Sequence, residues 1–575
     1  MQPQVENHED EQQENENPLN RFLNLDYGVI GRTASTKSEA NTSSEFQFWV
    51  ADRDEAIGRI EIGNIVGAYS DTRDDITFGI VTEMRSYSDI DSFIADFLSH
   101  NFGEAQIDVP TDVSQVIVVT CAVMRNVSAK TKPVSRSRVY FPSELGIQFS
   151  YGIVNDQGET IFNGAAIPVG VFENGDGTIS AISVDEDFLI GPEGAHLNVS
   201  GISGLASKTS AIEFVIKSLL THTTSNIAVV MFNVKSKDLL YIDQLNTRLA
   251  ENNPLSEWSR RAYSNLEIPM EPFAGARFFA PANPRNPHGT QSLRLLETGR
   301  FSWDLSMIYR DIPALFDPVD FDDKMEGVWF VIQDRIERNE LVTYEQVLRW
   351  IQQQIDNANN QRPPQSWIMG AHIATWSKMR SHLQRFPQSF RGLISTAGQG
   401  VDVPWGELAS GDVFVIDIQS LSDRGQRLVF GRSIRAINDL LEAPNCPLDG
   451  VVVFVDELNK FAPSGNYRTP LKSHLIDVTA RGRSIGLVLF GAEQFASSVD
   501  KEIIENSSTF LIGRTESNEL RAANYSGLSD EVKTKLMMLP QGSLLVKFAK
   551  FQQPIFVKFP LPPCLPGDHF VPPHD

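Results

Sequence analysis

The first third of the chain has the hydrophobic pattern of short strands. From about Tyr27 to Phe188, β-rich runs alternate with turns rich in Gly, Asn and Asp, as in EFQFWVA, ITFGIVTEM and SQVIVVTCAVM. Short strands at such spacing are typical of a small β-barrel or sandwich. One helical pattern, SDIDSFIADFLSHNF, interrupts them. Since no nucleophile–base pair or metal-ligand cluster accompanies these strands, we interpret residues 25–185 as an assembly or adaptor barrel.

Continuous apolar strands dominate the remainder of the chain. The runs IAVVMFNV, DVFVIDI, VVVFVDE and LVLFGAE are uninterrupted, as in strands covered on both faces. Their alternation with helical patterns predicts an α/β domain with a parallel sheet over residues 186–560. Between about 245 and 410 the strands give way to helical patterns, and we interpret this stretch as a largely helical insertion.

Tryptophans recur on the apolar faces of the insertion. They are Trp303, Trp329, Trp350, Trp367 and Trp376. Large aromatic side chains in helical patterns are more often core than surface. Core packing is therefore the favoured interpretation, and platforms on which nucleic-acid bases stack are the alternative.

Both ends of the chain have biased compositions. Residues 1–24 are rich in Gln, Asn and Glu, which predicts a disordered acidic tail serving solubility or partner docking. This segment lacks the basic and apolar regions of a signal peptide. Residues 561–575 are rich in Pro, and a loosely ordered terminus is expected there.

Bulk properties limit the possible partners and compartments. The chain has 575 residues and a net charge of -23, so we expect two to four domains and a surface that repels nucleic acid unless a local basic lining binds it. Three distant cysteines, Cys121, Cys446 and Cys564, fit a reduced cytoplasmic protein. No apolar run reaches the ~18 residues that span a bilayer. We therefore expect a cytoplasmic protein with no membrane partner.

The stretch from His196 to Leu220 has the pattern of a phosphate-binding loop. An apolar strand leads into a Gly/Ser-rich turn that opens into a helix at Lys208-Thr209. In such a loop the backbone N–H groups cradle phosphate, the lysine neutralises it, and the threonine hydroxyl holds Mg²⁺. The predicted nucleotide-binding residues are Gly201, Ser203, Gly204, Leu205, Ala206, Ser207, Lys208, Thr209 and Ser210.

The loop departs from the usual G-x-x-x-x-G-K-[ST] spacing. Ile202 and Ser207 stand where that motif has glycine, and the glycines are at positions 201 and 204 instead. From the loop alone, a Gly/Ser turn with a solvated lysine is the alternative. The departure predicts altered phosphate binding and a weakened or regulated ATPase.

Two further strands end in polar residues. VVVFVDE ends in Asp456-Glu457, at the sheet edge where ligands bind in parallel sheets. In a P-loop ATPase the aspartate holds Mg²⁺ and the glutamate polarises the attacking water. Gln494 follows the strand LVLFGAE, where its amide could contact the γ-phosphate, with an ordinary loop amide as the alternative.

The motifs SGISGLASKTS, FNVKSKDLL, VVVFVDELNKFAP, ARGRSIGLVLFGAEQ and STFLIGR together resemble the HerA–FtsK group of hexameric P-loop DNA-translocating ATPases. HerA is the more similar. The resemblance covers about 186–250 and 411–560 and implies a RecA-like sheet, a preceding HAS-barrel-like domain and a homohexamer. It also implies that the C-terminal tail packs on a neighbouring subunit.

The resemblance implies a role for each matching residue, with ATP and Mg²⁺ as cofactors. Lys208 and Thr209 match the Walker A pair, and Asp456 and Glu457 match the Walker B pair. Gln494 matches the polar residue after the next strand. Arg481 matches a candidate finger that reaches a neighbouring subunit's nucleotide, with Arg483 and Arg514 as alternatives that could equally form surface ion pairs. Asn233 stands where relatives commonly have an acidic residue.

Three functions remain open at this stage. The first is a ring ATPase that moves DNA through a central pore, with candidate contacts at Lys235, Lys237, Arg468 and Lys472. The second is an ATP-gated hexameric scaffold that activates a partner nuclease or Sir2-type NAD hydrolase, as in antiviral defence by HerA-like proteins. The third is a degenerate P-loop protein, which the intact Asp456-Glu457 pair argues against.

Overall fold

The computed structural model describes most of the chain. It covers residues 18–570 except 38, 52–55, 57, 71, 105, 107–114, 203, 205–207, 317–319, 396–399 and 466–468. The acidic tail up to residue 17 and the last residues, 571–575, lie outside the described part. Among the helices of the described ranges, none combines the length and apolar composition needed to cross a lipid bilayer.

Six antiparallel strands near the N-terminus close into a barrel. They are β1 (Gly31–Ala34), β2 (Glu45–Val50), β3 (Ile65–Ser70), β4 (Asp75–Ser88), β5 (Gln115–Asn126) and β6 (Arg138–Tyr140), in the order β1-β2-β5-β4-β3-β6. Closure removes exposed strand edges. A short helix, α1 (Phe93–Ser99), follows β4 and buries none of its residues. The predicted N-terminal β-barrel is thereby confirmed.

A 13-stranded sheet forms the rest of the framework. Its strands are β7 (Ala166–Glu173), β8 (Ile179–Asp185), β9 (Leu197–Ser200), β10 (Ile227–Asn233), β11 (Arg277–Asn283), β12 (Asn286–Thr290), β13 (Gly299–Phe301), β16 (Val413–Asp417), β17 (Gly450–Asp456), β18 (Leu487–Glu493), β19 (Thr509–Ile512), β20 (Ser543–Phe548) and β21 (Ile555–Lys558). Two further strands, β14 (Trp367–Ile368) and β15 (Ala371–His372), form a separate hairpin.

The centre of the large sheet is parallel. Strands run in the order β11-β16-β10-β17-β18-β9-β19, and every neighbouring pair in this series is parallel. β18 therefore lies between β9, which precedes the phosphate loop, and β17, which ends in Asp456. The predicted α/β fold class with a large parallel sheet is confirmed.

Helices cover both faces of this sheet and build the insertion. Their bounds are α2 (Glu144–Ser150), α3 (Glu186–Leu189), α4 (Lys208–His222), α5 (Pro254–Asn265), α6 (Leu305–Ile308), α7 (Asp323–Glu337), α8 (Tyr344–Asn360), α9 (Ile373–Ser389), α10 (Asp423–Leu441), α11 (Pro470–Arg481), α12 (Lys501–Glu505) and α13 (Asp530–Met537). Local signals explain several starts, as in α8, where Thr343 and Gln346 form a capping box.

Strands β7 and β8 belong to the large sheet, although the sequence placed them with the barrel. β7 pairs with β21, and β8 extends the edge beyond it. The buried side chains of β7 include Ile167 and Val169, and the Ser218 hydroxyl of α4 donates to the Pro168 carbonyl at 2.7 Å. The apolar face of this hairpin is thus covered by α4. The boundaries of the predicted domains stay predictions.

The tryptophans of the insertion do not all lie in its core. Trp303, Trp329 and Trp376 are buried, and Trp350 is half-buried beneath the Arg335 guanidinium. Trp367 is 63% exposed. The core interpretation is therefore wrong for Trp367, because a two-residue hairpin turn directs it away from the packed helices.

The C-terminal segment packs on its own chain. The Asn246 backbone N–H donates to the Pro563 carbonyl at 2.9 Å, and Cys564 is buried. The rings of Tyr241 and Phe570 stack with centroids 4.0 Å apart. A loosely ordered terminus is thus wrong for residues 561–570, since two aromatic rings and backbone hydrogen bonds hold them.

Candidate functional site

The lysine that the sequence predicts to bind phosphate lies at the start of α4. Lys208 is the first residue of α4 and is buried. Its Nζ donates to the Gly201 carbonyl at 2.8 Å, and burial lowers the pKa of Lys208. Gly201 and Gly204 have φ values of 145° and 78°, a region that favours glycine. Ser203, Leu205, Ala206 and Ser207 lie outside the described residues, so the predicted effect of Ser207 stays a prediction.

A cleft opens beside the lysine at the carboxyl ends of β9 and β17. Lys208, Thr209 and Ser210 line it together with Gly204 and Asp456. Asp456 is the last residue of β17 and is 7% exposed. The structure thus brings the predicted Walker A residues and the Walker B aspartate into one cleft, although they are far apart in sequence.

The two adjacent carboxylates are neutralised by lysines. Lys235 Nζ lies 3.2 Å from Asp456 Oδ2 and 3.2 Å from Glu457 Oε1, and Lys460 Nζ lies 2.7 Å from Glu457 Oε2. Burial works to raise the pKa of Glu457, but the hydrogen bond from Lys460 and the charge of Lys235 hold it below its usual range. Glu457 is therefore an ionised carboxylate that is already engaged by two cations.

The backbone at Glu457 turns sharply. Glu457 has φ 56° and ψ 49°, in the left-handed region, and its N–H donates to Asp456 Oδ1 at 2.9 Å. Such a conformation is uncommon for a residue other than glycine and is found at functional sites. It directs the Glu457 side chain away from the strand direction, toward Lys235 and Lys460.

Gln494 does not line the cleft. It is exposed, one residue beyond β18. Glu493, the last residue of β18, is fully buried. Burial raises the pKa of Glu493 to about 8, and the hydrogen bond with the Asn198 side chain and the charge of Lys208 oppose the shift. Glu493 therefore lies, largely protonated, between the phosphate-loop strand and the Walker B strand.

Of the candidate arginine fingers, Arg481 and Arg514 do not line the cleft of their own chain. Arg481 ends α11, its side chain is 80% exposed, and its Nε lies 3.2 Å from Asp477 Oδ1 one turn earlier. The side chain of Arg483 is outside the described part. Arg514 is half-buried, and its carbonyl accepts from the Ile202 N–H at 2.9 Å. Only Arg481 is thus seen as a side chain open to a neighbouring molecule.

Two of the candidate DNA-contacting lysines have other partners. Lys235 binds the Walker B carboxylates, as described above. Lys472 is 1% exposed, with Nζ 2.6 Å from Asp500 Oδ2 and 2.7 Å from the Gly465 carbonyl. A pore-facing role is therefore wrong for Lys472, because a buried ion pair occupies it. Arg468 lies outside the described residues.

Sequence reasoning missed several groups around the cleft. Glu213 of α4, Asp238, Gln541 and Pro566 also line it. Glu213 is buried, which raises its pKa, and the charge of Asp238 adds to this. Gln541 and Pro566 could not be found from local pattern. Glu493 could have been, since an acidic residue ending an uninterrupted apolar strand repeats the pattern of VVVFVDE.

Comparisons with known proteins give only distant likenesses. No family model matches the sequence, and no curated protein matches it. Among solved structures, VirB4 of Thermoanaerobacter pseudethanolicus shares 14% identity over 69% of this chain and 97% of its own, with a TM-score of 0.44. The plasmid coupling protein TrwB in complex with ADP and Mg²⁺ shares 12% identity over 64% of this chain and 84% of its own, with a TM-score of 0.39.

A viral protein gives a more partial likeness. The genome packaging NTPase B204 from Sulfolobus turreted icosahedral virus 2, in complex with ATP-gammaS, shares 20% identity over 26% of this chain and 68% of its own, with a TM-score of 0.21. At these identities and TM-scores, activity cannot be transferred.

Proposed function

We propose that the chain is a HerA-like P-loop ATPase that couples ATP hydrolysis to movement of DNA through a homohexameric ring in the cytoplasm. The observation that carries this proposal is the convergence of Lys208, Thr209 and Asp456 in one cleft, with Glu457 beside it. The cleft opens at the carboxyl ends of parallel strands, where such sheets bind nucleotides.

Each residue has a role in this proposal. Lys208 exchanges the Gly201 carbonyl for phosphate oxygens, and the loop backbone from 201 to 207 cradles the phosphates. Glu457 accepts a proton from the attacking water once its lysine contacts loosen. Gln494 senses the γ-phosphate after a local rearrangement, and Arg481, with Arg483 as the alternative, reaches the nucleotide of the next subunit.

The residues of the cleft fit a magnesium ion. Mg²⁺ is usually held by one or two protein oxygens together with phosphates and water, and it neutralises charge on the reacting phosphate. The Thr209 hydroxyl and the Asp456 carboxylate supply such oxygens. Within the described ranges, no group of three or more His, Cys, Asp or Glu side chains is placed to hold a metal ion by itself. Binding of the ion together with ATP accords with this donor set.

A second candidate function is an ATP-gated hexameric scaffold that activates a partner nuclease or Sir2-type NAD hydrolase, in antiviral defence or DNA processing. The apolar side chains next to β4 favour it. Phe93 is 95% exposed, Ile94 71% and Phe102 74%. Clustered exposed apolar residues mark contact sites for other proteins.

One experiment separates the two functions. ATP turnover of the full chain is measured with and without duplex DNA, together with displacement of a third strand from a DNA triplex. If the chain moves DNA, duplex DNA stimulates ATP turnover and the third strand is displaced, and Lys208→Ala abolishes both. Turnover without displacement, raised only by a partner protein, supports the scaffold. Absence of any ATP binding contradicts both.

A further inference from the structure

The helical insertion contains a basic stretch in an otherwise acidic protein. No Asp or Glu occurs between Asp356 and Asp402. With 73 acidic residues in 575, a stretch of this length would hold about six. Its basic residues are Arg362, Lys378, Arg380, Arg385 and Arg391. This is the local basic lining that a nucleic-acid contact requires in a chain of net charge -23.

Helix α9 displays this basic character on one face. Its buried residues, Trp376, Met379, Leu383 and Phe386, share the opposite face. The exposed residues of α9 are Ala374, Ser377, Lys378, Ser381, Gln384, Arg385, Gln388 and Ser389. Lysine, arginine, serine and glutamine are the side chains that commonly contact phosphate. By contrast, the neighbouring α7 carries Asp323, Glu326, Asp334 and Glu337.

Cations from two helices converge on this face. Lys378 is partly exposed, and its Nζ lies 3.1 Å from Asp320 Oδ1 and donates to the Asp320 carbonyl at 3.1 Å. Burial lowers the pKa of His382, and the charges of Lys378, Arg385 and Arg424 add to this against the charge of Asp320. Lys378, Arg385 and Arg424 therefore lie close enough to His382 to act on it together, with Asp320 as the opposing charge.

An exposed tryptophan stands directly before α9. Trp367 is 63% exposed on the β14–β15 hairpin, whose turn residues Met369 and Gly370 have φ values of 46° and 83°. The hairpin is held in place, since Trp376 Nε1 donates to the Ile368 carbonyl at 3.0 Å and the Ile373 N–H donates to the Ser366 carbonyl at 2.9 Å. The hairpin is therefore anchored to the first turns of α9, and the exposed Trp367 ring lies with its centroid 5.8 Å from that of His372, which precedes this helix.

We propose that the β14–β15 hairpin and α9 bind single-stranded DNA, with Trp367 stacking on an unpaired base and Lys378 and Arg385 contacting phosphates. An aromatic platform beside a positively charged surface is the general arrangement for binding single strands. A duplex keeps its bases stacked internally and offers none to Trp367. This site is separate from the nucleotide cleft and needs no ATP, so it goes beyond the proposed ATPase function.

The test of stacking uses the full chain without nucleotide and a fluorescent oligothymidylate of about 20 nucleotides. Trp367→Ala is expected to weaken binding about 5- to 100-fold, because one stacked base is lost. Trp367→Phe retains an aromatic face and most of the affinity. Phe330→Ala is the matched control, since Phe330 is 71% exposed on α7, and it leaves binding unchanged.

The test of phosphate contact follows binding against salt concentration. Arg385→Ala is expected to weaken binding and to reduce the slope of log K against log salt by about 0.7, the value for one phosphate contact on a single strand. Arg349→Ala on α8 is the control, because its side chain is 71% exposed but lies opposite Glu345. It leaves the slope unchanged.

Several results would overturn the proposal. One is equal binding by Trp367→Ala and Phe330→Ala, and another is duplex competing as well as single strand. If the wild type binds no oligonucleotide, the basic face serves an acidic protein instead. ATP hydrolysis without DNA, measured in parallel, stays unchanged in Trp367→Ala. A loss of oligonucleotide binding with unchanged ATP hydrolysis therefore concerns only the proposed DNA site. A loss of ATP hydrolysis with unchanged oligonucleotide binding concerns only the proposed ATPase function.

Discussion

Glu457 carries the chemistry of the proposed reaction, yet it is held by two lysines. Lys235 and Lys460 both contact its carboxylate, and Lys235 also contacts Asp456. The carboxylate is thus ionised but is not free to polarise water. In the proposed reaction, nucleotide binding draws Lys235 away from Glu457, because phosphate competes for the lysine charge.

The Lys235 contact predicts a change in pH dependence. Glu457 must be ionised to act as a base, and Lys235 helps to hold its pKa low. In Lys235→Met the pKa of Glu457 rises, so the acid limb of the ATPase rate moves to higher pH. The measurement is kcat/KM between about pH 4 and pH 8, because kcat/KM reports the pKa of Glu457 in the free enzyme, where Lys235 contacts it. Lys237→Met is the control, and equal profiles for both variants would refute the role of Lys235.

Glu493 predicts a pH-dependent stability. Its folded pKa of about 8 lies above the ordinary value of 4.5, so the unfolded state loses its proton first as the pH rises. The contribution of neutral Glu493 to the free energy of unfolding is fully present below about pH 4.5. It is lost as the pH rises through about 8. Glu493→Gln keeps a neutral side chain at every pH. Its unfolding midpoint should therefore exceed that of the wild type by a margin that grows from pH 5 to about pH 8.

The control for this prediction is Glu502→Gln, an exposed change on α12. It should shift the midpoint little at any pH. A constant difference between Glu493→Gln and the wild type would show that Glu493 is ionised in the folded state.

Among the elements, the parallel strands and the barrel were predictable from sequence, and their pairing partners were not. Uninterrupted apolar runs identified β10, β17 and β18. The placement of β7 and β8 depends on contacts with β21 and α4, which are distant in sequence. Hydrophobic periodicity reports which face is buried but not which element covers it.

The side chains of the site also differ in whether the sequence alone could predict their positions. Lys208, Thr209 and Asp456 each follow an apolar strand in a local pattern, and the structure brings them together. Lys472 was misassigned because its partner Asp500 belongs to another element. Trp367 was misassigned because a two-residue turn, Met369-Gly370, reverses the chain. Such cases are decided by tertiary contacts.

The C-terminal segment predicts a link between tail packing and nucleotide binding. Phe570 stacks on Tyr241, and Pro566 of the same segment lines the cleft. Aromatic stacking is worth roughly 0.5–1.5 kcal/mol beyond area burial. Phe570→Ala should therefore loosen the tail, speed its removal by carboxypeptidase and raise the Kd for an ATP analogue. Phe570→Tyr keeps the stack and should retain both properties. If carboxypeptidase removes the tail faster but the Kd for the ATP analogue is unchanged, packing of the tail does not affect nucleotide binding.

At the scale of the whole molecule, the proposal requires a ring. The cleft of one chain contains no arginine among its described lining residues, whereas Arg481 is exposed. An arginine finger supplied by a neighbour makes hydrolysis depend on assembly. A head-to-tail ring supplies that neighbour to every subunit.

Mixing two inactive variants tests this arrangement. Lys208→Ala lacks a working nucleotide site but keeps Arg481. Arg481→Ala keeps the nucleotide site but lacks the arginine. An equal mixture should regain about a quarter of wild-type turnover, because that share of interfaces in a ring pairs an intact site with an intact arginine. The double variant mixed with Arg481→Ala is the control and stays inactive. No recovery in the first mixture would exclude Arg481 as the trans group.

Hydrolysis of ATP in the cleft at Lys208, Asp456 and Glu457 is tested by single-turnover hydrolysis with the wild type and with Glu457→Gln. Binding of a fluorescent ATP analogue is measured on the same samples. We expect the variant to retain binding and to lose hydrolysis by about 100-fold or more, because the proposed role of Glu457 is to polarise the attacking water. Equal hydrolysis by the two proteins, or no binding by either, would show that this cleft is not an ATPase site.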